Sequence, residues 1–275
     1  MSHYPITDWD DAYANASHIP NGMGFLDIWA QQGAQFREEM QSQNRAKLDI
    51  SYGPLARNKF DLFTPKGESK GLVVFVHGGF WQMLDKSSWS HLAQGSLEAG
   101  YTVVMPSYTL CPQASIAQII AEIGDATTLA AEQVSGEIRL TGHSAGGHLV
   151  TSMLCEESPL SPAIRQRIVK TVSISGVHDL RGLLNTQMNE NLKLDAEQAA
   201  ALSPVLKSPA HFAPLTCWVG SDERPEFLRL NKIQAQMWRS FEIKTDWVEE
   251  PNRHHFDVVD GLMDITHPLM QSLLA

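Results

Sequence analysis

Cysteine is scarce: Cys111, Cys155 and Cys217 are the only three in 275 residues. An odd number without C-x-x-C spacing offers neither a disulfide framework nor a zinc knuckle. Each sits in an apolar context such as LTCWVG, which reads as a small core hydrophobe. Long apolar runs are missing too. Nothing approaches the roughly 20 consecutive apolar residues of a bilayer-spanning helix, so no membrane partner is expected. The N-terminus, MSHYPITDWDDAYANASHIPNG, has neither the basic start nor the apolar stretch of a secretory signal. Together with the few cysteines, this points to a reducing, cytoplasmic setting. Positive charge is also short: 21 Lys and Arg against 31 Asp and Glu give a net charge of -10. Phosphate backbones would meet little attraction, so nucleic acid is not an expected partner. Repeats and Gly/Ser-rich linkers are absent, and 275 residues lie within the range of a large α/β unit, so one domain over 1–275 is expected.

What is present is a globular composition, 43% hydrophobic and 19% charged. From residue 46 onward, β-rich runs alternate with helical patterns. The strand candidates are AKLDISY, KFDLFTP, LVVFVHG, YTVVMPSY, EIRLTGHS, IVKTVSISG, LTCWVGSD and KTDWVEE. Several are apolar without alternation, as strands covered on both faces are. Helical patterns fall at SSWSHLAQGSLEAG, SIAQIIAEIGDATTLAAEQ, after Ser144 and at RPEFLRLNKIQAQMWRS. This alternation predicts an α/β fold: a mostly parallel, eight-stranded sheet with helices on both faces. Residues 1–45 form an N-terminal extension or small cap, and 180–212 a helical insertion; either segment is placed to shape a pocket.

TGHSAGGH, residues 141–148, surrounds one serine with glycines. A tight strand-to-helix turn alone explains such glycines. So does a nucleophile elbow, G-x-S-x-G, in which they clear space around a strained serine. The strand EIRLTG before it and the helical pattern after it supply the context that the elbow requires. A serine hydroxyl must pass its proton to a base, usually a histidine held by a carboxylate. In strand-turn-helix hydrolases these follow in the order serine, acid, histidine. Past one strand, VGSDERPEF offers Asp222, Glu223 and Glu226; past the last, NRHHFDVVD offers His254 and His255. Any one of these alone reads as a solvated loop charge, whereas their joint position at strand ends favours a site. VFVHGGFW, residues 74–81, ends a strand in two glycines, so its backbone is able to approach a substrate closely. The amides of Gly79 and Phe80, with that of Ala145, are the expected oxyanion donors. The pairs His143 with His148 and His254 with His255 lack the spacing that places two ligands on one helix face, so no metal is expected.

Read together, HGGFW, SYTLCP and GHSAGGHL resemble the hormone-sensitive-lipase-like branch of the α/β-hydrolases, and within it the kynurenine formamidase (arylformamidase) group. His77, Gly78, Gly79 and Trp81 match that group's HGGxW element, and DDAYAN, KFDLF, DKSSWSHLA and HHF extend the likeness along nearly the whole chain. The resemblance implies a serine hydrolase that removes the formyl group of N-formylkynurenine, a step of tryptophan degradation, without a cofactor. Its pattern G-x-x-D-x-P, counted from Gly220, puts the acid at Glu223, although Asp222 is the commoner chemical type. The base by the same matching is His255. Trp81 suits a flat aryl ring and is a candidate substrate contact, although a tryptophan at such a position is equally an ordinary core anchor; the resemblance gives Tyr108 as a structural residue. The expected partner is a small aryl formamide or ester. The same machinery serves a carboxylesterase acting on small acyl or aryl esters, and the sequence leaves open whether copies associate into a homo-oligomer.

Overall fold

The computed structural model describes residues 5–210 and 213–275. The first four residues of the N-terminal segment and the last two of the 180–212 insertion lie outside the described residues. Eight strands form one sheet: β1 (Ala46–Ser51), β2 (Lys59–Phe63), β3 (Gly71–Val76), β4 (Thr102–Pro106), β5 (Glu137–His143), β6 (Ile168–Ile174), β7 (Leu215–Gly220) and β8 (Thr245–Glu250). Their spatial order is β1-β2-β4-β3-β5-β6-β7-β8. β1 and β2 pair antiparallel, as do β2 and β4. The remaining pairs are parallel. All eight strand candidates read from the sequence are therefore strands.

Burial explains the pattern. β3, β4 and β7 are buried at every position, whereas edge strand β1 alternates between half-buried and exposed. Successive side chains of β3 divide between the two faces: Leu72, Val74 and Val76 join one core cluster, Val73 and Phe75 the other. The first cluster is closed by the helices Ile116–Gln133, Ala145–Ser152 and Pro225–Trp238. The second is closed by Phe25–Ser42, the Lys86–Ala93 and Val258–Met263 turns of 3₁₀-helix, and Pro268–Leu274. Cys111, Cys155 and Cys217 are free thiols buried in this packing. Burial pushes the Cys111 thiol up to about 11 and that of Cys155 to about 12.

A charge cluster ties the N-terminal helix to the sheet edge. Asp61 on β2 is fully buried and meets Lys86 Nζ at 2.9 Å and Arg37 Nε at 3.3 Å. It also accepts the Asp49 amide at 2.9 Å. Removing one partner of a buried pair leaves the other charge uncompensated. Asp61→Ala is expected to cost about 3–5 kcal/mol, read from the urea midpoint. A loss below about 1 kcal/mol would show that Asp49 alone satisfies Lys86.

Candidate active site

β3 and β5 to β8 run parallel, so their C-terminal loops converge on one edge of the sheet, where ligands of open α/β folds bind. Ser144 directly follows β5 and begins the helix Ala145–Ser152 with φ 56° and ψ -115°. That left-handed backbone is unusual for a residue with a side chain and marks a sharp turn. The flanking glycines are required by close approach. A Cβ on Gly146 would lie 1.9 Å from the Val76 carbonyl oxygen, and one on Gly142 would lie 2.4 Å from that of Gly146. The elbow helix is thereby pressed against β3.

His255 follows β8. Its Nδ1 donates to Glu223 Oε2 at 2.6 Å, with both side chains buried. The other oxygen of Glu223 accepts the Ser175 hydroxyl at 2.5 Å and the Gly220 amide at 2.8 Å. Three donors thus fix the carboxylate. Asp222 is exposed and accepts only the neighbouring Ser221 hydroxyl, and His254 turns aside to Asp257. Ser144 and His255 line the same cavity, of about 480 Å³.

The HGG loop after β3 forms another wall. Gly79, Phe80 and Trp81 all take positive φ (111°, 47° and 59°), which turns the chain back on itself beside Ser144. Among the described residues the amides of Gly79, Phe80 and Ala145 donate to no other protein group. Tyr108 supports this loop from below: its ring stacks on His77 at 4.3 Å and its hydroxyl donates to the His77 carbonyl. Burial holds the His77 imidazole down at about 4, so it stays neutral.

Trp81 corrects the sequence expectation of an aryl contact. Its side chain is fully buried, edge-on to His148 at 5.1 Å, and is not among the cavity's walls. The strained loop sends Phe80 to the cavity and Trp81 to the core. Aromatic walls come instead from Trp29, Trp89, Phe80 and Phe256. Of the two segments expected to shape a pocket, residues 10–29 supply much of its outer wall, while the insertion contributes Met188.

Two further residues escape the sequence reading. Ser175, at the end of β6, reaches the carboxylate 48 positions away only because β6 and β7 are neighbours. His143, beside the elbow serine, sits 4.5 Å from the His255 ring and 5.6 Å from Trp89. Burial, with the neighbouring His255 charge, keeps His143 well below an ordinary histidine, so it offers His255 a neutral face.

A strained serine on a strand-to-helix elbow, a carboxylate-held histidine and a glycine-rich amide loop at the carboxyl edge of a mostly parallel sheet define an α/β-hydrolase. The BD-FAE family matches residues 60–215, more than half of the chain, and the protein belongs to that family. A kynurenine formamidase of Danio rerio is 28% identical over 86% of this chain and 84% of its own length. A solved structure of a candidate thioesterase from a Silicibacter species is 46% identical, with a TM-score of 0.93 over 98% of this chain and 99% of that one. An esterase from Pyrobaculum calidifontis shares the fold at a TM-score of 0.67 and 16% identity, covering 97% of this chain and 95% of that one.

Proposed function

We propose that this hydrolase cleaves an aryl formamide, with N-formylkynurenine as the substrate, through Ser144, His255 and Glu223. The observation that carries the reading is the shared cavity: a serine and a carboxylate-held imidazole at the base of aromatic walls. The Danio rerio relative's name supports the choice of formamide.

In this mechanism His255 Nε2 takes the Ser144 proton as Oγ attacks the formyl carbon, and Glu223 holds the opposite nitrogen in its protonated form. The carbonyl electrons move to oxygen, where the amides of Gly79, Phe80 and Ala145 receive them. The C–N bond then breaks, His255 delivers its proton to the departing aniline, and the formyl group stays on Ser144. Water, deprotonated by His255, attacks that ester and releases formate, returning the proton to Ser144.

The experiment is kcat/KM for N-formylkynurenine beside a panel of phenyl and naphthyl esters. The formamide is expected to match or exceed every ester. An ester preference of about a hundredfold would assign the site to a carboxylesterase.

A further inference from the structure

Arg57 lies in the connection between β1 and β2, and its guanidinium donates to two backbone carbonyls. Nε reaches the Tyr108 carbonyl at 2.7 Å and Nη2 the Leu84 carbonyl at 2.6 Å. Both acceptors bear on the HGG loop. The loop's entry at His77 rests on the Tyr108 ring and hydroxyl. Its exit is Leu84, which lines the active-site cavity and takes a left-handed φ of 68°. One side chain therefore ties entry to exit.

Charge pairing does not explain this placement. Arg57 enters no ion pair among the described residues, although Asp49 and Asp85 line the same groove of about 320 Å³. Its donors are aimed at backbone oxygens instead, from a rigid planar fork and with the added strength of a charged donor. The base it reaches from is fixed as well. Asn58, buried and next in sequence, accepts the Leu55 amide at 3.0 Å on its side chain and the Tyr52 amide at 2.9 Å on its carbonyl.

Within the loop, the amides of Gln82 and Met83 donate back to the Gly79 carbonyl at 2.9 and 3.1 Å, so the turn closes on itself. The Cys111 amide, donating to the Trp81 carbonyl at 2.8 Å, holds its middle. Phe80, Trp81 and Leu84 all take positive φ, a conformation that residues with side chains keep only where their surroundings impose it. A closed turn moves as a unit when its exit is released. The amides of Gly79 and Phe80 move with it.

Resting on the serine mechanism above, we propose that Arg57 is a positioning residue for acyl transfer: by clamping Leu84 to Tyr108 it sets where the Gly79 and Phe80 amides stand relative to Ser144. It acts through the loop and touches no substrate. A donor misplaced by about 1 Å loses most of its effect on a developing oxyanion, whereas the aromatic walls bind the ground state as before.

The test compares wild type, Arg57→Ala and Arg57→Lys on N-formylkynurenine, on phenyl acetate, and against phenylboronic acid, whose tetrahedral adduct with Ser144 places an oxygen at the amides. Arg57→Ala is expected to lower kcat about tenfold to a hundredfold on each substrate while KM stays within about threefold. The Ki of the boronic acid should rise by the factor that kcat falls, because both report on the tetrahedral state. Arg57→Lys keeps the charge but not the fork, so its melting temperature should match the wild type while kcat still drops by about fivefold or more. That variant decides the matter even where the alanine variant does not fold. Wild-type rates in Arg57→Lys, a loss confined to KM, or a lower kcat with an unchanged boronate Ki would overturn the role. Hydrolysis of the acetate but not the formamide by the wild type, with the Arg57 losses retained, would reject the formamide reading and keep the clamp.

Discussion

Ser144→Ala is expected to lower kcat on any accepted substrate by about 10⁴- to 10⁶-fold, the scale seen when a serine hydrolase loses its nucleophile. The reasoning is local. Alanine keeps the Cβ and so preserves the turn at φ 56°, ψ -115°, and the Gly146 contact with Val76 is untouched. Only the oxygen goes. KM should stay within a few-fold, since the aromatic walls are unchanged, and the melting temperature should not fall. A fluorophosphonate should label the wild type stoichiometrically and the variant not at all. A variant that retained a tenth of the normal rate would remove Ser144 from the chemistry, because the amide loop and binding alone give only a small residue of the full acceleration.

The sheet was legible because strands buried on both faces must be continuously apolar, and β3, β4 and β7 leave no other reading. The positions of Ser144, Glu223 and His255 were legible for a related reason: each follows a strand, and parallel strands deliver their C-terminal loops to one edge. Trp81 was not. A tryptophan after HGG reads alike whether its ring faces a substrate or a core, and the backbone turns at Phe80 and Trp81 decide between them. Ser175 was hidden for a different reason: its hold on the carboxylate depends on a tertiary neighbour, the β6–β7 adjacency. The sequence marked residues 1–45 only as extension or cap; the wall they build follows from contacts more than 200 positions apart.

Glu223→Gln is expected to lower kcat by about 10³- to 10⁴-fold while leaving KM nearly unchanged, the scale found when a triad carboxylate becomes an amide. The surroundings of the carboxylate dictate this. Its Oε1 is held by two donors, the Ser175 hydroxyl at 2.5 Å and the Gly220 amide at 2.8 Å. A glutamine would keep its single carbonyl oxygen there and turn its NH₂ toward His255. The Nδ1 atom of His255 would then have to accept instead of donate, which moves the ring proton to Nε2. The imidazole would face Ser144 with a hydrogen in place of the lone pair that must receive one. Rotating the amide to restore the imidazole would instead point NH₂ at the Gly220 N–H, a donor against a donor, inside a buried site. Asp222→Asn supplies the contrast: that side chain is exposed and bonds only to Ser221, so its change should alter kcat by less than about threefold. Steady-state rates of the two variants, with the ring-proton resonances of His255 followed by NMR, separate the cases. A large loss in the Asp222 variant with a normal Glu223 variant would move the acid by one residue and require the loop after β7 to rearrange before the enzyme turns over.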